Sequence, residues 1–175
     1  MTTAPLGSLS LALDSVRELA AASATFQAAR SVETSELAKP HIHLDWVDEF
    51  AEEDGLEAMR PYIVVAEDGH GYDQQGEGVG IDLAGGGIVV VAIYATAECP
   101  ENHSESKLIF TNLAGQIIDE MADNSGESYD DGNACHFPAR SIQLLQRAVR
   151  SNKTERSNGN DFWWAAWSLE WGAEA

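Results

Sequence analysis

His41, His43 and Asp45 alternate through the stretch 41–46, so an extended backbone would carry all three on one face. Two imidazoles and a carboxylate are metal donors, and a metal held that way could serve a hydrolase. The same spacing equally suits an exposed polar strand face, and no later stretch supplies a convincing third or fourth ligand. Cys99, His103, Cys135 and His136 form a second constellation. A Cys-x-x-x-His pair combined with an adjacent Cys-His does not have structural-zinc spacing, and it reads as two unrelated thiols. Nothing around it supports a Cys/His nucleophile pair. Gly76, Gly78 and Gly80 resemble a phosphate-cradling loop in composition only. No Lys-Ser or Lys-Thr pair closes a P-loop there, so they read as hairpin and loop glycines. Asp123, Asp130 and Asp131 lack the spacing of a calcium loop. The expectation is therefore a protein that is not an enzyme, with no catalytic residue, no metal and no cofactor.

The elements that would position any site are clearer. Four of the five Trp residues lie between Trp163 and Trp171. At period two, Trp163, Ala165, Trp167, Leu169 and Trp171 share one face, which is wholly apolar. Phe162, Trp164, Ala166, Ser168 and Glu170 share the other, which turns polar toward its end. That pattern predicts a strand with one face on a core, and aromatic residues suit a pleated surface. Phe162 and Trp164 make the second face more apolar than water requires. It is either a subunit interface or a face covered by the segment around Trp46.

A helix is expected from Ser8 to about residue 29, its stripe formed by Leu9, Ala12, Leu13, Val16, Leu19, Ala20 and Phe26. Ile42 and its neighbours suit a short edge strand. Residues 61–66 read as a strand opened by Pro61, and 80–84 as a further short one. The stretch 88–96 is β-branched and apolar on both faces, which predicts a central strand. Asn102 with Glu105 three residues on predicts a helix cap, and Phe110, Leu113, Ala114, Ile117 and Met121 form the buried stripe that follows. Residues 140–149 fit a helix or half a strand equally well. Asn158-Gly159-Asn160 suits a hairpin tip, and because the Trp strand follows at once, the two read as an antiparallel hairpin. The fold class expected is α+β, a mostly antiparallel sheet of about four to five strands with two main helices on one face. Its core anchors would be Trp163, Trp167, Leu169, Trp171, Phe110, Leu113 and Ile117. The 175 residues suit a single domain, with 31–60 and 122–138 as long loops or insertions.

Bulk composition narrows the partners. The net charge is −19, from 29 acidic against 10 basic side chains, which disfavours gripping a polyanion. Two Cys are too few for a disulfide framework and suit a reducing compartment. No run reaches the roughly 18 apolar residues of a membrane span, so no membrane partner is expected. The N-terminus is rich in Leu and Ala, but Asp14, Arg17 and Glu18 interrupt it, and a signal peptide is not expected.

Four stretches carry a family resemblance: Arg60-Pro61-Tyr62-Ile63-Val64-Val65, Gly86-Gly87-Ile88-Val89-Val90-Val91, Phe110-Thr111-Asn112-Leu113-Ala114-Gly115, and Asp161-Phe162-Trp163-Trp164 with Leu169-Glu170-Trp171-Gly172. In this order and spacing the chain resembles the tail terminator, or tail completion, proteins of long-tailed bacteriophages and gene transfer agents. The resemblance covers the core from about residue 60 onward. The segments 31–60 and 122–138 have no counterpart in it. It implies a structural virion protein of the tail neck, assembled in the host cytoplasm. Such proteins form a homo-oligomer, usually a hexameric ring, on the head-proximal end of the tail tube. The ring ends tube polymerisation and meets a head-tail connector or stopper protein, and DNA passes through it without specific binding. Another neck component, such as a stopper, is the nearest alternative. A metal-dependent hydrolase built on His41, His43 and Asp45 is a more distant one.

Overall fold

The computed structural model describes residues 8–44, 59–67, 87–99, 101–124, 142–154 and 161–171, without the side chains of 8–11, 67, 87–88, 142–154 and 170–171. The Trp-rich stretch is a strand, Phe162–Trp171. It is the fifth of five: β1 (Ile42–His43), β2 (Tyr62–Glu67), β3 (Gly87–Thr96), β4 (Ile142–Thr154) and β5 (Phe162–Trp171). The sheet order is β1-β2-β3-β5-β4. β1 runs parallel to β2, and the other pairings are antiparallel. β3 and β4 therefore point the same way, and β5 fills the space between them.

The helices are α1 (Ser8–Ala22), α2 (Ala24–Ala29), α3 (Ser35–Ala38) and α4 (His103–Asn124), with a 3-10 turn at Lys39–His41. α1 packs on β2 and β3, α4 packs on β5, and both contribute to one core on the same face of the sheet. The class is α+β, as the sequence predicts. The odd-numbered face of β5 meets the helices: Trp163, Ala165, Trp167 and Leu169 are all buried there. Phe110 and Ile117 are buried opposite them, and Leu113 is half-buried against the same core. The backbone of Trp171 pairs with Gly87 and Ile142, and its side chain lies outside the described residues.

Trp163 shows how a large polar-tipped ring is accommodated. Its indole N–H donates to the Ser106 hydroxyl at 2.9 Å, and both residues are buried. Leaving such a donor unmet inside a core costs about 1–3 kcal/mol. The Phe110 ring stacks on the indole at 6.0 Å. Helix α4 starts as its sequence dictates: Asn102 Oδ1 accepts from the Glu105 amide at 3.2 Å, and the two side chains hydrogen-bond to each other.

Two expectations need correction. The first helix is not continuous to residue 29. Ser23 takes extended backbone angles and its hydroxyl accepts the Phe26 amide, which ends α1 and caps α2. The break is held from outside, because Ser23 Oγ also donates to Glu120 of α4 at 2.6 Å. The segment 31–60 is not simply a loop. Thr34 caps α3 and the 3-10 turn follows, while β1 is the short edge strand expected around Ile42. The antiparallel pairing expected ahead of the Trp strand is present: β4 (Ile142–Thr154) pairs antiparallel with β5, with a register shift between Leu145 and Arg150. The expected strand at 80–84 and hairpin tip at 158–160 lie outside the described residues.

Candidate functional site

The face of the sheet turned away from the helices carries a row of rings. Strand register sets it: Tyr62 lies opposite Tyr94, and Tyr94 lies opposite Trp164. Tyr62 and Tyr94 stack at 4.8 Å with their ring planes nearly parallel. His43, from β1, meets Tyr62 edge-on at 5.4 Å. Tyr94 is 6.3 Å from Phe162, and the Arg60 guanidinium lies 4.4 Å from the centre of the Phe162 ring. Tyr62, Val64, Ala66 and Ala92 form a second, smaller buried cluster on this face.

That burial bears on the two residues expected at a subunit interface. Phe162 is only 1% exposed, with Arg60 over its ring, so its side chain is not available to another subunit. Trp164 is half-buried and keeps part of its surface open. The difference arises because Phe162 sits at the strand end beside Arg60, whereas Trp164 sits two residues in, between Tyr94 and Asn152.

A cleft of about 350 Å³ opens where Arg60 and Pro61 lead into β2, beside the end of β3 and the flank of α4. Ile109, Phe110 and Leu113 give it an apolar wall; Arg60, Glu98, Asn112 and Gln116 give it hydrogen-bonding groups of both polarities. Arg30, which caps α2, fixes this entry by donating to the carbonyls of Met59 and Arg60 at 2.9 and 2.8 Å. Such a lining suits a side chain or short segment of mixed character. No sequence motif announced it. Its polar members come from separated stretches, and only the turn into β2 brings them together.

Among the described residues, those singled out for metal or thiol chemistry do not converge. His41 ends the 3-10 turn and His43 lies in β1, while Asp45 falls outside the described residues. Burial lowers the pKa of both imidazoles, and for His41 the charges of Arg30 and His43 lower it further. His43 Nε2 is buried and has no hydrogen-bond partner among the described residues. Among the described residues no three metal-binding side chains come together. Cys99 is a free thiol whose pKa is raised by desolvation and by Glu105, Glu101 and Glu98. That is the reverse of what a reactive thiolate requires. His103 instead packs its ring 5.1 Å from Trp163, and Cys135 and His136 lie outside the described residues. Among the described residues, no helix is long and apolar enough to cross a membrane.

No family model matches this chain, and no curated protein matches it in sequence.

Proposed function

We propose that this protein is a structural component of a phage-like tail neck, of the tail-terminator type. It would form a ring on the head-proximal end of the tail tube, stop tube growth and present a surface to the connector or stopper above. The observation that carries the reading is where the four resembling stretches fall. They supply parts of β2, β3, α4 and β5, and these elements build one continuous body around Trp163 and Phe110. Fold-level likeness is an analogy rather than a mechanism, so the physical role rests on assembly. A rigid wedge with an apolar core suits a ring subunit. The partly open Trp164 suits a contact between subunits. A net charge of −19 suits a channel through which DNA must pass without sticking.

The test is direct. Purified protein is mixed with growing tail tubes and imaged by negative-stain electron microscopy. Rings at one end of each tube, with elongation arrested, are the expected outcome. Tubes that keep growing with bare ends would show the reading to be wrong. Decoration of connector complexes with none of tube ends would move the protein to the stopper position.

A further inference from the structure

The cleft between Arg60 and α4 continues onto open helix surface. Glu105, Ile109, Asn112 and Gln116 follow one another at steps of four, three and four, so they share one flank of α4. The last three of them line the cleft. Ile109 is 37% exposed, and Leu108 beside it is 71% exposed. With Phe110 and Leu113 in the wall, this makes an apolar point open to a partner. The rim around it is acidic. Glu98 lines the cleft and is exposed. The Asn102 amide donates to the Cys99 carbonyl at 2.9 Å, and this turn sets Glu98 and Glu101 beside Glu105 at the start of α4. All three bear on the Cys99 thiol, whose pKa is raised by desolvation and by their charges. Among the described residues no exposed cation offsets them on this flank. Arg60 is 6% exposed with its guanidinium over the Phe162 ring, and Lys107 falls on roughly the opposite side of the helix from Ile109. Ser106, also in the lining, is 1% exposed. Its hydroxyl accepts the Trp163 indole N–H, its one partner among the described residues. An indole can only donate, so the Ser106 proton is left for an acceptor such as a peptide carbonyl.

We propose that the cleft and the adjoining flank of α4 form a docking site for a short basic segment of another protein. A bulky apolar side chain of that segment enters beside Ile109, Phe110 and Leu113, and the Lys or Arg residues next to it meet Glu98, Glu101 and Glu105. Charge selects the occupant. A net charge of −19 draws a basic segment in, and it repels nucleic acid and anionic lipid alike. The apolar wall adds selectivity that charge alone lacks, because a wholly polar basic segment leaves Leu108 and Ile109 uncovered. The site stands on these residues and does not depend on the tail-neck reading.

Fluorescence anisotropy of rhodamine-labelled hexapeptides, titrated with the full chain at about 0.1 M salt, tests the proposal. Lys-Lys-Leu-Leu-Lys-Lys binds. Lys-Lys-Ser-Ser-Lys-Lys, which lacks the apolar pair, binds at least ~10-fold more weakly. Glu-Glu-Leu-Leu-Glu-Glu does not bind. Equal affinity for the two basic peptides overturns the proposal, and so does the absence of binding by the leucine peptide at ~1 mM. Three variants at exposed positions locate the site. Ile109→Ser weakens the leucine peptide at least ~5-fold and leaves the serine peptide unchanged. Glu98→Lys weakens both basic peptides by about 5-fold. Asp123→Lys makes the same change in net charge about 21 Å further along α4 than Ile109. That is some two Debye lengths away, and binding stays within ~2-fold of wild type. If Asp123→Lys weakens binding as much as Glu98→Lys does, bulk charge does the binding and the proposal fails. A wild-type dimer that Ile109→Ser dissolves would give the face to a second copy of the chain, and that also overturns it. The comparison of peptides needs no variant, so a variant that fails to fold leaves a decisive measurement in place.

Discussion

Glu120 shows how one side chain ties distant parts of the chain together. Its carboxylate accepts from the Ser23 hydroxyl, from the Thr25 hydroxyl, and from the Thr25 amide at 3.1 Å. Burial alone would raise its pKa, but these hydrogen bonds, with one from the Ala24 amide, outweigh burial and lower it. A carboxyl with a depressed folded-state pKa stabilises the fold fully above its unfolded pKa. That contribution is lost as pH falls through the folded value. Urea unfolding of wild type and Glu120→Gln between about pH 6 and about pH 3 should therefore give curves that converge on acidification. Parallel curves would mean that the carboxylate contributes no proton linkage. The break at Ser23 that Glu120 holds was not legible in the sequence. A serine is tolerated inside an Ala-rich helix, and what ends the helix here is an acceptor 97 residues further on. The cleft beside Arg60 was hidden for the same kind of reason, since Arg60, Glu98 and Gln116 belong to three separate stretches.

At the scale of elements, β5 was the most legible part of the chain. Period-two alternation put Trp163, Ala165, Trp167 and Leu169 on one face, and all four are buried under the helices. The cap of α4 was equally legible, because Asn102 and Glu105 act within one turn. β4 was legible only through the hairpin expected with β5, because its register shift between Leu145 and Arg150 breaks the alternation that identifies a strand. The two faces of β5 should respond differently to truncation. Trp167 is 8% exposed on the helix side, and Trp167→Ala should cost about 3–5 kcal/mol of unfolding free energy. Trp164→Ala should leave a folded monomer that associates more weakly, read by circular dichroism together with sedimentation. A loss under about 1 kcal/mol for Trp167→Ala would mean that its ring is not part of the main core.

For the molecule as a whole, one core joins residues of α1, α2, α3, α4 and the sheet, from Ala12 to Leu169. Cooperative unfolding should follow. Thermal transitions monitored by Trp fluorescence, which reports largely on β5, and by far-ultraviolet circular dichroism, which reports on the helices, should coincide. Separated midpoints would show that sheet and helices melt independently. The order of strands has a further implication for biosynthesis. β5 follows β4 along the chain yet lies between β4 and β3. On the ribosome, β4 therefore emerges before the one strand it pairs with among the described residues, and β3 lacks that same neighbour until it arrives. A nascent polypeptide stalled in that interval shows two open margins to its neighbours. Release beyond residue 171 is thus the moment at which the sheet can zip shut, and translational pausing just before it would be the point of greatest risk for aggregation.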